Sequence, residues 1–282
     1  MNNSTSLSST AALVMAWAAP LYATGPAREF FRQIELSAGE ELLSQCDAIC
    51  PWYGEVILNR KYFIRDWARR QLEQSDQPWR IVIPAAGMSP LSLDLLGSHA
   101  SHISQIIEYD LEGMEEKRRL YDLAVPNWSD KIVCLTANVS LTSTASELSR
   151  FHGGNSTTIP TLVVIEGVSY YLPAVSLKNL VASFHSPDAR NRVIIEYMLP
   201  DSDIAENRRP IPEGVFRVIE QKCGIPSIRR YSQTEMCQLM EAAEGSADRH
   251  VSMREMELLR TGGNQYFPCD HDGWITITTG CI

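Results

Sequence analysis

Several acid- or amide-bearing segments stand directly after short apolar runs, and they define the chemistry this chain could do. Glu108-Tyr109-Asp110 closes one run, Asn138-Val139 follows a second, and Glu166-Gly167 follows a third. A turn of small residues, Ala85-Ala86-Gly87, follows a fourth. Small residues let backbone approach a ligand closely, although a tight turn without a ligand accounts for them equally well. An acid at a strand end can accept hydrogen bonds from ribose hydroxyls, or be a solvated loop acid. An amide can read an adenine edge, or cap a turn. A carboxylate set directly behind Leu162-Val163-Val164-Ile165 is nearly buried and needs a partner, which a ligand or a structural ion pair could supply.

The elements that must carry these groups follow from the apolar runs. Runs beginning at Arg80, Ser104, Lys131, Thr161 and Arg192 start 24, 27, 30 and 31 residues apart. A βαβ unit needs roughly 30 residues. Runs without polar alternation suit parallel strands covered on both faces. Residues 114–123, 143–151 and 173–184 can form the intervening helices. The expected fold is α/β, with a doubly wound, mostly parallel, seven-stranded Rossmann-like sheet. Ligands bind such sheets at the carboxyl ends of the strands, where the strand order reverses. The four segments together describe a nucleoside cofactor lying across that point.

The segment before the sheet is helical in pattern, and Ser75-Asp76-Gln77-Pro78 is a turn signal. Residues 1–78 are therefore read as a helical cap, and 79–282 as the core with late antiparallel strands. Residues 234–244 and 252–260 read as helices. Trp274-Ile275-Thr276-Ile277-Thr278 alternates as a late or edge strand would.

Composition excludes other classes. Hydrophobic residues make up 44% of the 282 and charged residues 21%, enough apolar content for a core rather than disorder. With 25 basic and 34 acidic residues the formal charge is −9, so nucleic acid is not an expected partner. The apolar stretch 11–19 is short of the ~20 residues a membrane span needs, and no Lys or Arg precedes it. No membrane partner and a cytoplasmic location are expected. The seven cysteines are scattered without a repeated CxxC pair, His152, His185 and His271 read as structural, and Cys269-Asp270-His271-Asp272 reads as a polar turn. No metal is expected.

Four blocks resemble the leucine carboxyl methyltransferase family, including its bacterial small-molecule O-methyltransferase branch. They are Asn59-Arg60-Lys61-Tyr62-Phe63-Ile64-Arg65, Ala85-Ala86-Gly87-Met88, Ile107-Glu108-Tyr109-Asp110-Leu111 with Lys117-Arg118, and the stretch from Pro160 to Leu172. The resemblance implies S-adenosyl-L-methionine as cofactor and S-adenosyl-L-homocysteine as product. It assigns Arg65 to the cofactor carboxylate, Ala85 and Gly87 to the turn under the methionine part, and Asp110 to the ribose. Asn138 and Val139 fall near adenine, and Glu166 beside the amino group. Two positions depart from the family pattern: Ala85 replaces a glycine, and Asn138 replaces an aspartate. The basic residue of the protein-methylating members is missing around Thr10, so the implied substrate is a small-molecule carboxylic acid.

Methyl transfer to a carboxylate needs alignment more than proton removal, because a carboxyl of pKa about 4 is already ionised at neutral pH. No catalytic base is therefore assigned. Tyr22, Tyr170 and Tyr197 are the candidate substrate contacts. A hydroxyl O-methyltransferase, which would need a base, and a non-catalytic cofactor-binding or interaction protein are the alternatives. The sequence does not fix the oligomeric state.

Overall fold

The structure is a computed structural model; it describes residues 5–141, 159–186, 188, 190–224 and 228–282. The helix expected over 143–151 and His152 lie outside them. The chain opens with a two-residue strand β1 (Thr5–Ser6), then helices α1 (Ser9–Ala18) and α2 (Gly25–Phe31). Strand β2 (Ile34–Glu35), which pairs in parallel with β1, precedes α3 (Glu40–Ile49) and the long α4 (Tyr53–Glu73). This β1–β2 ladder is too short to leave a periodic signal in an otherwise helical region.

The strands β3 (Trp79–Pro84), β4 (Ile103–Asp110), β5 (Ile132–Thr136), β6 (Thr161–Ile165) and β7 (Arg192–Met198) fall on the five apolar runs. Two late strands, β8 (Ser246–Ser252) and β9 (Ile275–Cys281), complete a seven-stranded sheet of order β5-β4-β3-β6-β7-β9-β8. The first five are parallel, and β9 runs antiparallel to both its neighbours. The chain builds outward from β3 to β5 and then returns to place β6 on the other side of β3. The switch point, where a crevice must open, therefore lies between the carboxyl ends of β3 and β6.

Two expectations change. The strand near Trp274 is not at the edge: β9 sits between β7 and β8, and its residues from Ile275 to Gly280 are all buried. Its threonines mimic the polar alternation of an edge, but they are interior. Thr278 satisfies its hydroxyl on the His250 ring. The edge on this side of the sheet is β8, whose Ser-Ala-Asp-Arg-His composition hides it. A further helix, α5 (Leu91–His99), connects β3 to β4, beyond the intervening helices the sequence pattern gives.

The remaining helices are α6 (Met114–Ala124), α7 (Ala174–Ala182), α8 (Pro210–Cys223), α9 (Gln233–Ala242) and α10 (Met253–Thr261). The last two begin with Ser-x-x-Glu capping boxes at Ser232/Glu235 and Ser252/Glu255, each satisfying orphan backbone N–H groups. One hydrophobic cluster runs from Leu7 to Ile282, so cap and sheet share a core across the change of rhythm at Trp79. An aromatic seam joins them: Trp17 packs on Tyr53 at 5.1 Å, and Tyr53 stacks on the fully buried Trp274 at 5.7 Å. No helix among the described residues is long and apolar enough to cross a membrane.

Candidate functional site

A cavity of about 680 Å³ opens at the switch point, within the roughly 300–1,000 Å³ range of small-molecule sites. Its floor is built from the ends of β3, β4 and β6, and its roof from residues 5–8 and α1. Ala85, Gly87, Asp110, Glu166 and Tyr170 all line it, together with Arg60, Lys61, Glu112, Glu116 and Tyr171.

On the β3–β4 side the backbone does the positioning. The chain leaves β3 through two left-handed residues, Ala85 at φ +53° and Gly87 at φ +48°. That conformation costs an alanine roughly 1–2 kcal/mol. Asp110 offsets the turn by accepting from Gly87 N at 2.7 Å through Oδ2 and from Leu111 N at 2.6 Å through Oδ1. Beneath the turn lies a fully buried ion pair, Lys117 Nζ to Glu108 Oε2 at 2.7 Å. Tyr121 donates to the same carboxylate at 3.1 Å, and Ser92 also hydrogen-bonds it. Lys117 reaches Ala86 O at 3.5 Å, which ties the turn to the network below.

On the β6–β7 side the groups are side chains brought from far away. Glu166 follows β6 and pairs with Lys61 Nζ at 2.7 Å. Arg60 pairs with Glu196 on β7, and its Nη1 donates to Tyr170 Oη at 3.4 Å. Glu196 accepts from Gly167 N at 3.0 Å, and its carbonyl accepts from Ser169 Oγ at 2.5 Å. Burial works to raise the Glu166 pKa, but Lys61 and Arg60 outweigh it and hold the carboxyl below its ordinary range. Burial raises Glu196 in spite of Arg60. Arg60 Nε is buried without a hydrogen-bond partner and stands 3.9 Å from Glu166 Oε1.

The roof is latched at its outer end. Thr5 on β1 donates to Glu116 on α6, and Arg119 pairs with Glu116 at 2.6 Å. These contacts pull the Glu116 carboxyl down to about 2. The roof lines the cavity with the apolar Leu7, Ala11, Val14 and Met15 and with the hydroxyl-bearing Thr5, Ser6, Ser8 and Thr10.

Five sequence-predicted residues do not line the cavity. Arg65 lies one turn beyond Lys61 along α4, about 6 Å away. It donates instead to Leu21 O at 2.9 Å and lies 3.8 Å from Asp94. Arg60 and Lys61 are the α4 cations that line the cavity. The signal was present in the Asn59-Arg60-Lys61 block, but sequence alone does not say which turn of the helix meets the strand ends. Asn138 folds its side chain onto its own turn, accepting from Ser140 N at 2.9 Å and Ser140 Oγ at 2.6 Å. Val139 packs, partly buried, against the core. Tyr22 is buried and stacks on Phe31 at 5.8 Å. Tyr197 is fully buried and bonds His250 Nδ1 at 2.9 Å. The roof residues, Arg60, Lys61, Glu112 and Glu116 line the cavity without a role that the sequence suggests. Among the described residues, no group of three or more His, Cys, Asp or Glu side chains is placed to hold a metal ion.

Four acidic side chains and two basic ones line the cavity, so its field favours a ligand with net positive charge. No protein-family model and no curated protein matches the sequence. Solved structures do share the fold. A "putative methyltransferase" from Thermobifida fusca YX superposes with a TM-score of 0.68 at 10% identity, over 97% of this chain and 94% of that one. A DUF574 family protein from Streptomyces avermitilis MA-4680 gives 0.65 at 8% identity, over 97% of each chain. At these identities the likeness establishes the architecture: this chain has the Rossmann-like α/β fold of those proteins.

Proposed function

We propose that the protein is an S-adenosylmethionine-dependent O-methyltransferase that forms a methyl ester on a small-molecule carboxylate. The observation that carries the reading is the acid-rich cavity at the sheet's switch point, with Glu166 kept ionised on one side and Asp110 fixed on the other. S-adenosylmethionine carries a sulfonium, an ammonium and a carboxylate, hence net positive charge, and this lining suits it. When bound it supplies an electrophilic methyl group.

The residues of this chain bind and orient. Asp110 accepts from ribose hydroxyls with the lone pairs its backbone bonds leave free. Glu166 accepts from the amino group. Arg60, with its unfilled Nε–H, is the donor for the amino-acid carboxylate, the role expected of Arg65. The backbone between Ala85 and Gly87 lies under the methionine part. Residues 1–78 act as the cap, with Leu7, Val14 and Met15 keeping water from the sulfonium. Tyr170 and Tyr171 flank the acceptor.

A carboxylate acceptor fits what the lining offers for proton transfer. The described lining contains no histidine, and burial pushes the Tyr170 phenol well above its ordinary value. An acceptor that arrives ionised needs neither. The test is incubation with methyl-labelled cofactor and a panel of small acids and phenols. Base-labile label on an acid is the expected result. Base-stable label on a hydroxyl would move the reading to ether formation, and no transfer with any acceptor would count against both.

A further inference from the structure

Outside the cavity, at the β8 edge, the sheet carries a second cluster that the methyl-transfer reading does not use. Cys237 on α9 faces His250 on β8, with Sγ to Nε2 at 3.2 Å. The other ring nitrogen, Nδ1, is met by Tyr197 Oη at 2.9 Å and by Thr278 Oγ1. Both hydroxyls belong to buried residues of the inner strands β7 and β9, so the ring is held from behind. A neutral ring donating from Nδ1 to either hydroxyl presents Nε2 as an acceptor to the thiol. A nucleophile within bonding reach of a base, itself oriented by a third group, is the arrangement that activates a weak nucleophile. Cys237 is half-buried rather than sealed off. Cys46 and Cys50 are buried, and burial pushes their thiols up.

We infer that Cys237 and His250 form a thiol–imidazole pair that makes Cys237 a modification site for soft electrophiles, hydroperoxides in particular. His250 Nε2 takes the thiol proton as sulfur attacks one peroxide oxygen. The S–O bond forms and the O–O bond breaks. The leaving hydroxide or alkoxide takes the proton back from the imidazolium as water or alcohol. Sulfur is oxidised to a sulfenic acid and the peroxide is reduced, so the step balances without a further reagent. Burial lowers the His250 pKa, which favours the neutral ring that the geometry requires.

The site lies three strand spacings from β6, roughly 14 Å, and shares no residue with the cavity lining. Its test is therefore independent of the methyl-transfer reading. The intact protein is treated with limiting iodoacetamide at pH 7, and the labelled cysteines are quantified by peptide mass mapping. Cys269, which is exposed, serves as the internal reference. The expected result is alkylation of Cys237 about tenfold faster than Cys269, because a positioned base assists. His250→Gln should bring Cys237 to or below the reference rate while the circular dichroism spectrum is unchanged. Hydrogen peroxide followed by a sulfenic-acid trap should mark Cys237 first. Wild-type Cys237 reacting no faster than Cys269, or a sulfenic-acid trap that marks Cys269 before Cys237, would overturn the inference without any variant having to fold.

Discussion

The two sides of the cavity are built by different means. On the β3–β4 side, Asp110 is fixed by backbone N–H groups of its own strand end and of the neighbouring turn, over a sealed Lys117–Glu108 pair. On the β6–β7 side, Glu166 is held by Lys61, which lies more than a hundred residues earlier on α4. One side is a property of the sheet end, and the other exists only when α4 is packed against the sheet. The β3–β4 side should therefore govern stability, while the β6–β7 side should govern the charge offered to a ligand.

The largest expected effect breaks the first side. Lys117→Met leaves Glu108 buried without its cation, and breaking a buried pair in this way costs about 3–5 kcal/mol. Denaturant unfolding should show that loss, and a loss below ~1 kcal/mol would mean that Tyr121 and Ser92 alone satisfy the acid. The second effect falls on the other side. Glu166→Gln should weaken S-adenosylhomocysteine binding by about 1.5–3 kcal/mol, the worth of a charged hydrogen bond. Arg65→Ala should leave that affinity within about a factor of two while lowering Tm, because its bonds go to Leu21 and Asp94. Equal losses of affinity in the two variants would restore Arg65 to the site.

A smaller effect sharpens the account of the turn. Ala85→Gly removes the cost of a left-handed alanine but gives the unfolded chain more freedom. The net gain should be about 0.5–1 kcal/mol, read from the denaturant midpoint. The smallest concerns the roof latch. The Glu116 carboxyl titrates in the folded protein near 2 rather than the ordinary 4.5, so its contribution is present above pH 4.5 and is lost as pH falls toward 2. Glu116→Gln should flatten that part of the stability–pH curve and leave the curve above pH 5 unchanged in shape.

The same contrast explains what was legible. The parallel strands are legible because their apolar runs carry no polar alternation, most fully in β3, β6 and β7, which are covered on both faces. Asp110, Gly87 and Glu166 could be placed because they are adjacent in sequence to those strand ends. Arg60 and Lys61 could not be told from Arg65, since all three lie on one helix and only packing against β6 and β7 selects the turn that faces the cavity. Asn138 read as an adenine contact, yet its side chain is used by Ser140, a local competition that short amides often win. Of the two edges, β5 keeps an apolar Ile-Val-Cys-Leu run and is legible, whereas the Ser-Ala-Asp-Arg-His stretch of β8 carries no apolar pattern. β9 is the late antiparallel strand its position implies, and only the edge alternative fails, because its threonines are buried yet look polar in sequence.

The central claim is that the crevice between β3 and β6 holds one S-adenosyl nucleoside through Asp110 and Glu166 together. Calorimetric titration of the intact protein with S-adenosylhomocysteine tests it most directly. One saturable site per chain is expected, weakened at least about tenfold by Asp110→Ala and by Glu166→Gln, as loss of a charged hydrogen bond requires. No heat and no Tm shift at millimolar ligand, or binding indifferent to both substitutions, would contradict it.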